Sequence, residues 1–410
     1  MLNKQGIREL AYVVKVDEIK PIENYDRIVQ AMIGGWSVVV GKDEFRVGDL
    51  GVFFEIDSKL PEVEPFNSMD FLVKKHYKIK TQKMCKGTVY SQGLLVPLSA
   101  FDNLGEVEEG TFLTEQLGVT YSSREDRKRK SSKEDKDAKY KRALAYHPHI
   151  AKKYGRFIMK HTWAKVLFYI IFGGASKRSG NDKKFPVGKF EGVTITDVER
   201  CENLTWVLQD KTPYIVTEKC DGSSATYILA RTHKIRKPFE YYVCSRKVRM
   251  LDKEQETFFG DYNPYWDVSD KYDIYIKLKH YLDNHPNCEW VCWQGEICSP
   301  KIQGNPHHLE DIHFYCFHWT DSENGRMDIR NAYELWKEYE MEIVPIVDTN
   351  YILPDDFEEF KKSADGMYNS IVCEYHTDCP REGFVYYKTT DPTFKFKNVS
   401  REYLMNRRGE

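Results

Sequence analysis

The sequence predicts an α+β protein of two domains, a small N-terminal β-barrel followed by a larger domain of sheets with flanking helices. Three observations carry this expectation. The chain has 410 residues, enough for two separate cores. Short apolar runs broken by turn residues recur from Leu10 to Pro97, the pattern of a small closed sheet. From Phe185 onward, longer strand-like runs alternate with helical ones.

In the first region, strands are expected over Leu10 to Val16, Ser37 to Val40, Leu50 to Ile56, Tyr77 to Thr81 and Gly87 to Pro97. Gly-Lys-Asp and Val-Gly-Asp separate them as turns. Residues 121–142 form a charge-dense run without apolar periodicity, expected to be a solvated linker or frayed helix. Residues 149–173 are expected to be helical, with Ile150, Tyr154, Phe157, Ile158, Trp163, Val166, Leu167 and Ile170 as its apolar positions. Its apolar stretch is too short to span a bilayer, so docking against a domain is the expectation. Gly173 to Lys184 reads as a loop. The domains are therefore placed at 1–118 and 185–410, joined by an insertion at 119–184.

In the second domain, strands fit Tyr214 to Glu218, Ala225 to Ala230, Tyr241 to Cys244, Trp290 to Glu296, His313 to Trp319, Gly383 to Tyr387 and Phe394 to Lys397. Helices fit Tyr272 to Asn284, Asn331 to Tyr339 and Asp355 to Ala364.

Composition excludes some classes. A net charge of −2 excludes a global basic field, so any nucleic-acid contact must use local patches. Met1 to Leu10 is polar, unlike a secretory leader, and the ten cysteines lack a disulfide-framework spacing. Reduced thiols in a cytoplasmic protein are the expectation. Cys288, Cys292 and Cys298 miss the CxxC spacing of zinc modules and are expected to be buried thiols. His307 and His308, in a loop, are expected to be solvated and receive no catalytic role.

The chemistry concentrates at Lys219-Cys220-Asp221-Gly222. A lysine next to an acid and a glycine turn, between two apolar runs, can present its amine to a phosphate. Alone the pattern is weak, because such turns are common in hairpins. It gains weight from companions that come after it in a fixed order: Ser245-Arg246, Gln294-Gly295-Glu296, Phe314 to Trp319, Glu382-Gly383-Phe384-Val385 and Lys395-Phe396-Lys397. Lys395 and Lys397 are two apart in a strand and so share a face. Phe394 and Phe396 then point to the core.

That ordered set resembles the covalent nucleotidyltransferase superfamily of ligases and capping enzymes, whose catalytic domain is ATP-grasp-like. It is most similar to ATP-dependent RNA ligases with an N-terminal OB-like domain, the Naegleria/Deinococcus type. The resemblance covers roughly residues 5–118 and 184–408. It includes Phe45 to Asp49 and Phe53 to Pro61 in the first domain. It implies that ATP is attacked by Lys219, that AMP passes to a 5′-phosphate, and that a 3′-OH then seals the strand. It implies Asp221, Glu296 and Glu382 around Mg2+ or Mn2+, through waters, with metal and ribose roles undivided among them. For the nucleotide it implies Glu218 at the adenine, Gly222 in the turn, Arg246 at phosphate or ribose, Phe317 stacked on the purine, and Lys395 and Lys397 at the phosphates. Lys78, Lys80, Lys83, Lys86 and Arg200 are candidate RNA contacts, and Asn203 is another in the same segment as Arg200.

The expected function is sealing of nicks in duplex RNA, as in RNA repair, by a monomer. An end-healing kinase or phosphatase is a conceivable partner, and no membrane is expected. A DNA ligase, a GTP-dependent capping enzyme and a catalytically silent RNA-binding protein are the alternatives.

Overall fold

The computed structural model describes residues 1–3, 6–121, 148–172, 184–186, 188–253, 255, 257, 259, 262–368 and 379–406. The charged run at 122–142 and the loop at 173–183 lie outside the described residues.

The first domain strings together β1 (Ala11–Lys15), β2 (Glu18–Ile22), β3 (Tyr25–Ile33), β4 (Trp36–Gly41), β5 (Leu50–Phe54) and β6 (Ser58–Lys59). After helix α1 (Asp70–Lys74) come β7 (Gln82–Met84), β8 (Val89–Ser91), β9 (Leu94–Pro97) and β10 (Thr120–Tyr121). The strands pair as β1-β5-β9, β2-β3-β4, β7-β8 and β10-β6. β1 is buried on both faces: Tyr12 and Val14 enter one core with Trp36 and Phe53, Ala11 and Val13 another with Val52 and Phe54. This is why it reads as an unbroken apolar run rather than an alternating one.

Two expectations for this domain are corrected. No strand forms over Tyr77 to Thr81; there is a single bridge from Lys78 to Lys59. The chain leaves α1 through His76 and Tyr77, both left-handed, which prevents an extended run. The barrel also continues past residue 118, since β10 pairs with β6.

The insertion folds as a helical hairpin rather than one helix, α2 (Pro148–Lys160) and α3 (Thr162–Phe172), broken at His161.

The second domain has two facing sheets. One orders β11 (Glu199–Arg200), β21 (Asp391–Val399), β20 (Gly383–Lys388), β12 (Tyr214–Glu218) and β19 (Ile346–Tyr351). The other orders β15 (Arg249–Met250), β14 (Lys237–Ser245), β13 (Ser223–Lys234), β16 (Trp290–Cys298), β17 (His313–Asp321) and β18 (Gly325–Arg326). All neighbours are antiparallel except β11 and β21. Helices α4 (Pro264–Lys271), α5 (Ile274–Asn284) and α6 (Ile329–Glu338) cover the outer face of the six-stranded sheet. There Val268, Leu278 and Trp336 pack with Tyr227, Trp293 and Trp319. Helix α7 (Phe357–Lys362) closes the five-stranded sheet through Phe360, Tyr386 and Phe396. Helix α8 (Arg401–Asn406) comes after β21. Between the sheets, Ile215, Val385 and Tyr387 meet Cys220, Cys298 and Tyr315.

Residues 200–203 dock the barrel onto this domain. The Gly35 N–H donates to the Glu202 carbonyl at 2.8 Å. Trp36 Nε1 donates to Asn203 Oδ1 at 2.6 Å, and Asn203 Nδ2 to Glu55 Oε1 at 2.9 Å. Glu55 is fully buried, and Arg8 pairs with it at 2.7 Å. A Cβ on Gly35 would lie 2.2 Å from the Phe357 ring, so only glycine permits this approach.

Candidate active site

The chain crosses from one sheet to the other at Lys219. β12 ends at Glu218 in the five-stranded sheet and β13 starts at Ser223 in the six-stranded sheet. The residues Lys219 to Gly222 therefore sit in the cleft rather than at an exposed hairpin tip. The Lys219 N–H donates to the Gly383 carbonyl at 2.9 Å, and Tyr368 Oη donates to the Lys219 carbonyl at 2.7 Å. A Cβ on Gly222 would fall 2.2 Å from the Ile297 carbonyl oxygen. Gly222→Ala is expected to destabilise the fold by about 1–3 kcal/mol, because backbone rather than a side chain must yield. Thermal unfolding of the variant checks this; an unchanged midpoint would contradict it.

Three acids converge on the amine. Lys219 Nζ lies 2.9 Å from Glu382 Oε2. Glu296, on β16, pairs in register with Ser224, just past the crossover. Burial works against the Lys219 ammonium, but Glu382, Glu296 and Asp221 outweigh it and hold its pKa above the usual lysine value. Burial, with Glu382 and Asp221 adding to it and Lys219 opposing, pushes Glu296 up to about 8. Among the described residues, no three His, Cys, Asp or Glu side chains are set to hold a metal directly.

Asp221 is fixed from two sides. Its N–H donates to His307 Nε2 at 3.1 Å, and Tyr403 Oη donates to its carboxylate. His307 is buried, not solvated as its loop position suggests, because the loop folds over the Asp221 turn. Burial lowers its pKa to about 4, so it is a neutral acceptor at pH 7.

A second group of charges gathers cations around Asp197. Lys397 Nζ is 3.6 Å from Asp197 Oδ1, and Arg246 binds the other oxygen of the same carboxylate. Burial would raise the Asp197 pKa, yet Lys397, Arg246, Arg8 and Arg200 reverse it, and the group stays ionised. Burial lowers the Lys397 pKa, and Arg8, Arg200 and Lys219 add to this. Lys395 reaches across to the other sheet, with Nζ 2.7 Å from His318 Nε2. Burial, then Arg326, drives the Lys395 pKa well down. An anion in the cleft would relieve both lysines.

The remaining candidates are spread around this centre. Glu218 is buried, with Arg381 at 4.0 Å. Phe317 is half-buried beside the inter-sheet core. Lys83 and Lys86 are exposed and Lys78 and Lys80 half-buried around the β7–β8 hairpin, away from the cleft residues in sequence. Arg200 is not on an open face. It is buried and paired with Asp57 of the barrel at 3.2 Å, so it holds the domains together. Asn203 does the same.

Sequence reasoning missed Asp197, His318, Arg326, Tyr368 and Tyr403. None of them is near Lys219 in the chain, and even for His318, inside the Phe314 to Trp319 run, no local pattern marks the contact it makes. Cys288, Cys292 and Cys298 are buried free thiols as expected. The expectation of reduced thiols throughout has an exception in Cys379, which is disulfide-bonded.

A small barrel docked on a two-sheet domain, with a lysine at the crossover between acids and cations, defines the nucleotidyltransferase class of fold. Residues 10–98 match an OB-fold domain and residues 212–400 match the RNA ligase family. The RNA ligase match spans most of the catalytic domain, and the protein is an enzyme of that kind.

Solved structures of a Naegleria gruberi RNA ligase are similar over nearly the whole chain. A substituted form with ATP and Mn superposes with a TM-score of 0.71 at 24% identity, covering 99% of this chain and 100% of the other. The same ligase with PPi gives 0.69 at 24% identity, over 97% and 98%. A substituted form with AMP and Mn gives 0.68 at 24% identity, over 97% and 98%. At that identity the likeness is one of fold. A search of curated protein sequences gives no match.

Proposed function

We propose that this enzyme is an ATP-dependent RNA ligase that joins 3′-OH and 5′-phosphate ends through a lysyl-AMP intermediate. The observation that carries the reading is the placement of Lys219 between three carboxylates and a separate group of cations. The solved relatives hold ATP, AMP, PPi and Mn, which supports the same ligands here.

In the first step Lys219 Nζ attacks the α-phosphorus, forms a P–N bond and expels pyrophosphate. The amine must first lose a proton, which the carboxylates alone resist. A divalent ion held by Asp221, Glu296 and Glu382 through waters would offset their charge and stabilise the α-phosphate in its transition state. Arg246 and Lys397 stand where a phosphate could replace Asp197 as their partner. Lys395 and Arg326 would provide a second positive surface for the leaving pyrophosphate, with His318 as the neutral ring that Lys395 Nζ touches. Glu218 and Phe317 would recognise the adenine by hydrogen bonding and stacking.

In the second step a 5′-phosphate oxygen attacks the AMP phosphorus and frees Lys219. In the third, a 3′-OH attacks the activated 5′ end, expels AMP and forms the phosphodiester. Exposed lysines of the β7–β8 hairpin, Lys83 and Lys86, with Lys78 and Lys80, would track the RNA backbone.

The substrate is a nick in duplex RNA. Purified protein with ATP and Mg2+ is expected to seal a nicked RNA duplex at least about tenfold faster than the same ends in single strands. Equal rates would overturn the nick assignment while leaving the ligase intact. An all-DNA nick sealed as fast would move the protein to the DNA ligases.

A further inference from the structure

The hairpin of α2 and α3 lies between the two family-matching segments and plays no part in the site. Its surface is unusual. Trp163 is 62% exposed and Leu167 48%, and Val166 shares their face at i, i+3 and i+4 spacing. Tyr154 and Phe157 on α2 are exposed in the same way, with the Phe157 and Trp163 rings 6.0 Å apart at the hairpin turn. Meanwhile Ile158, Ala164 and Phe168 are buried. The helix α3 thus has an apolar face turned to water as well as one turned inward. Single exposed apolar residues are ordinary, but a contiguous patch marks a docking surface.

Charge says what the patch would meet. Between Ala138 and Asn181 the sequence has ten lysines and arginines and no aspartate or glutamate, in a chain whose net charge is −2. Lys153 and Lys160 are exposed on α2, beside the aromatic residues. A protein partner with an acidic rim or an RNA would match the lysines. RNA binding, however, runs mainly on phosphate contacts and aromatic stacking, and makes little use of aliphatic side chains such as Val166 and Leu167. A bilayer offers both an anionic surface and an apolar layer just beneath it. Trp163 at the turn is the residue type that settles at that boundary.

We propose that the α2–α3 hairpin attaches this enzyme to an anionic lipid surface, lying in the interface with Trp163, Val166 and Leu167 inserted. It does not cross: no described helix is long and apolar enough to span a membrane. With 11 residues, α3 is about 16 Å long, roughly half the hydrocarbon thickness.

The test is co-sedimentation of the full-length protein with vesicles of phosphatidylcholine alone or with about 30% phosphatidylserine. The anionic vesicles are expected to bind at least about tenfold more protein. The doubly substituted Val166→Glu, Leu167→Glu protein is expected to lose that gain, as is Lys153→Glu, Lys160→Glu. Both should keep wild-type covalent labelling by ATP, which reports folding and does not depend on the hairpin. No binding to anionic vesicles overturns the proposal. So does binding that survives in both variants. Loss of RNA binding or of self-association in the variants, without vesicle binding by the wild type, would assign the patch to RNA or to a second copy instead.

Discussion

Lys219→Ala will carry no covalent nucleotide after incubation with ATP, and will seal 5′-phosphate nicks at least about 10⁴-fold more slowly than the wild type. It will still join RNA whose 5′ end is already adenylylated, to within about tenfold, because the last step uses no lysine nucleophile. The variant also removes the ammonium that lies 2.9 Å from Glu382, leaving three acids with one another. Lys219→Arg separates the two effects. It keeps a cation among the acids, and its guanidinium cannot act as the nucleophile at working pH. Restored stability with no covalent label is the expected result, read by thermal unfolding and by label retained after denaturation. Label on Lys219→Arg would place the nucleophile elsewhere.

Glu296→Gln will stabilise the free protein while abolishing adenylylation. In the folded state Glu296 titrates near 8, against 4.5 for its ordinary value. The folded state therefore holds a proton that the unfolded state has already released. Stability falls as pH rises from about 4.5 to about 8, and is level beyond that. Glutamine cannot titrate, so the gain grows over that window to roughly 2–4 kcal/mol, allowing for the partial exposure of the side chain. Unfolding of both proteins across pH 5 to 9 measures it. A gain that shrinks with rising pH would mean that Glu296 is ionised in the folded protein. The paired loss of adenylylation would mark a site that gives up stability for function.

Much of the catalytic centre is legible along the chain. The strand Tyr214 to Glu218 is found with the expected bounds, and Phe396 enters the core while Lys395 and Lys397 take the other face. These positions are read from local alternation, which a strand enforces every second residue. The helix expected over Tyr272 to Asn284 begins at Ile274, with α4 before it, because Asp273 is left-handed and breaks the run. What stays hidden is contact made at long range. Nothing near Thr196 says that Asp197 will sit between Arg246 and Lys397. Nothing near Ser400 says that Tyr403 will reach Asp221 across 182 positions. Arg200 misleads for the same reason: a charged residue in a short strand looks solvent-facing until a second domain covers it. His307 misleads likewise, since only the folded loop reveals that its ring accepts from the Asp221 backbone.

The most direct measurement is incubation of purified protein with Mg2+ and α-labelled ATP, with α-labelled GTP in parallel, followed by denaturation. Covalent label from ATP alone, absent in Lys219→Ala, is the predicted result. Label from GTP alone, or from neither nucleotide, would contradict the account.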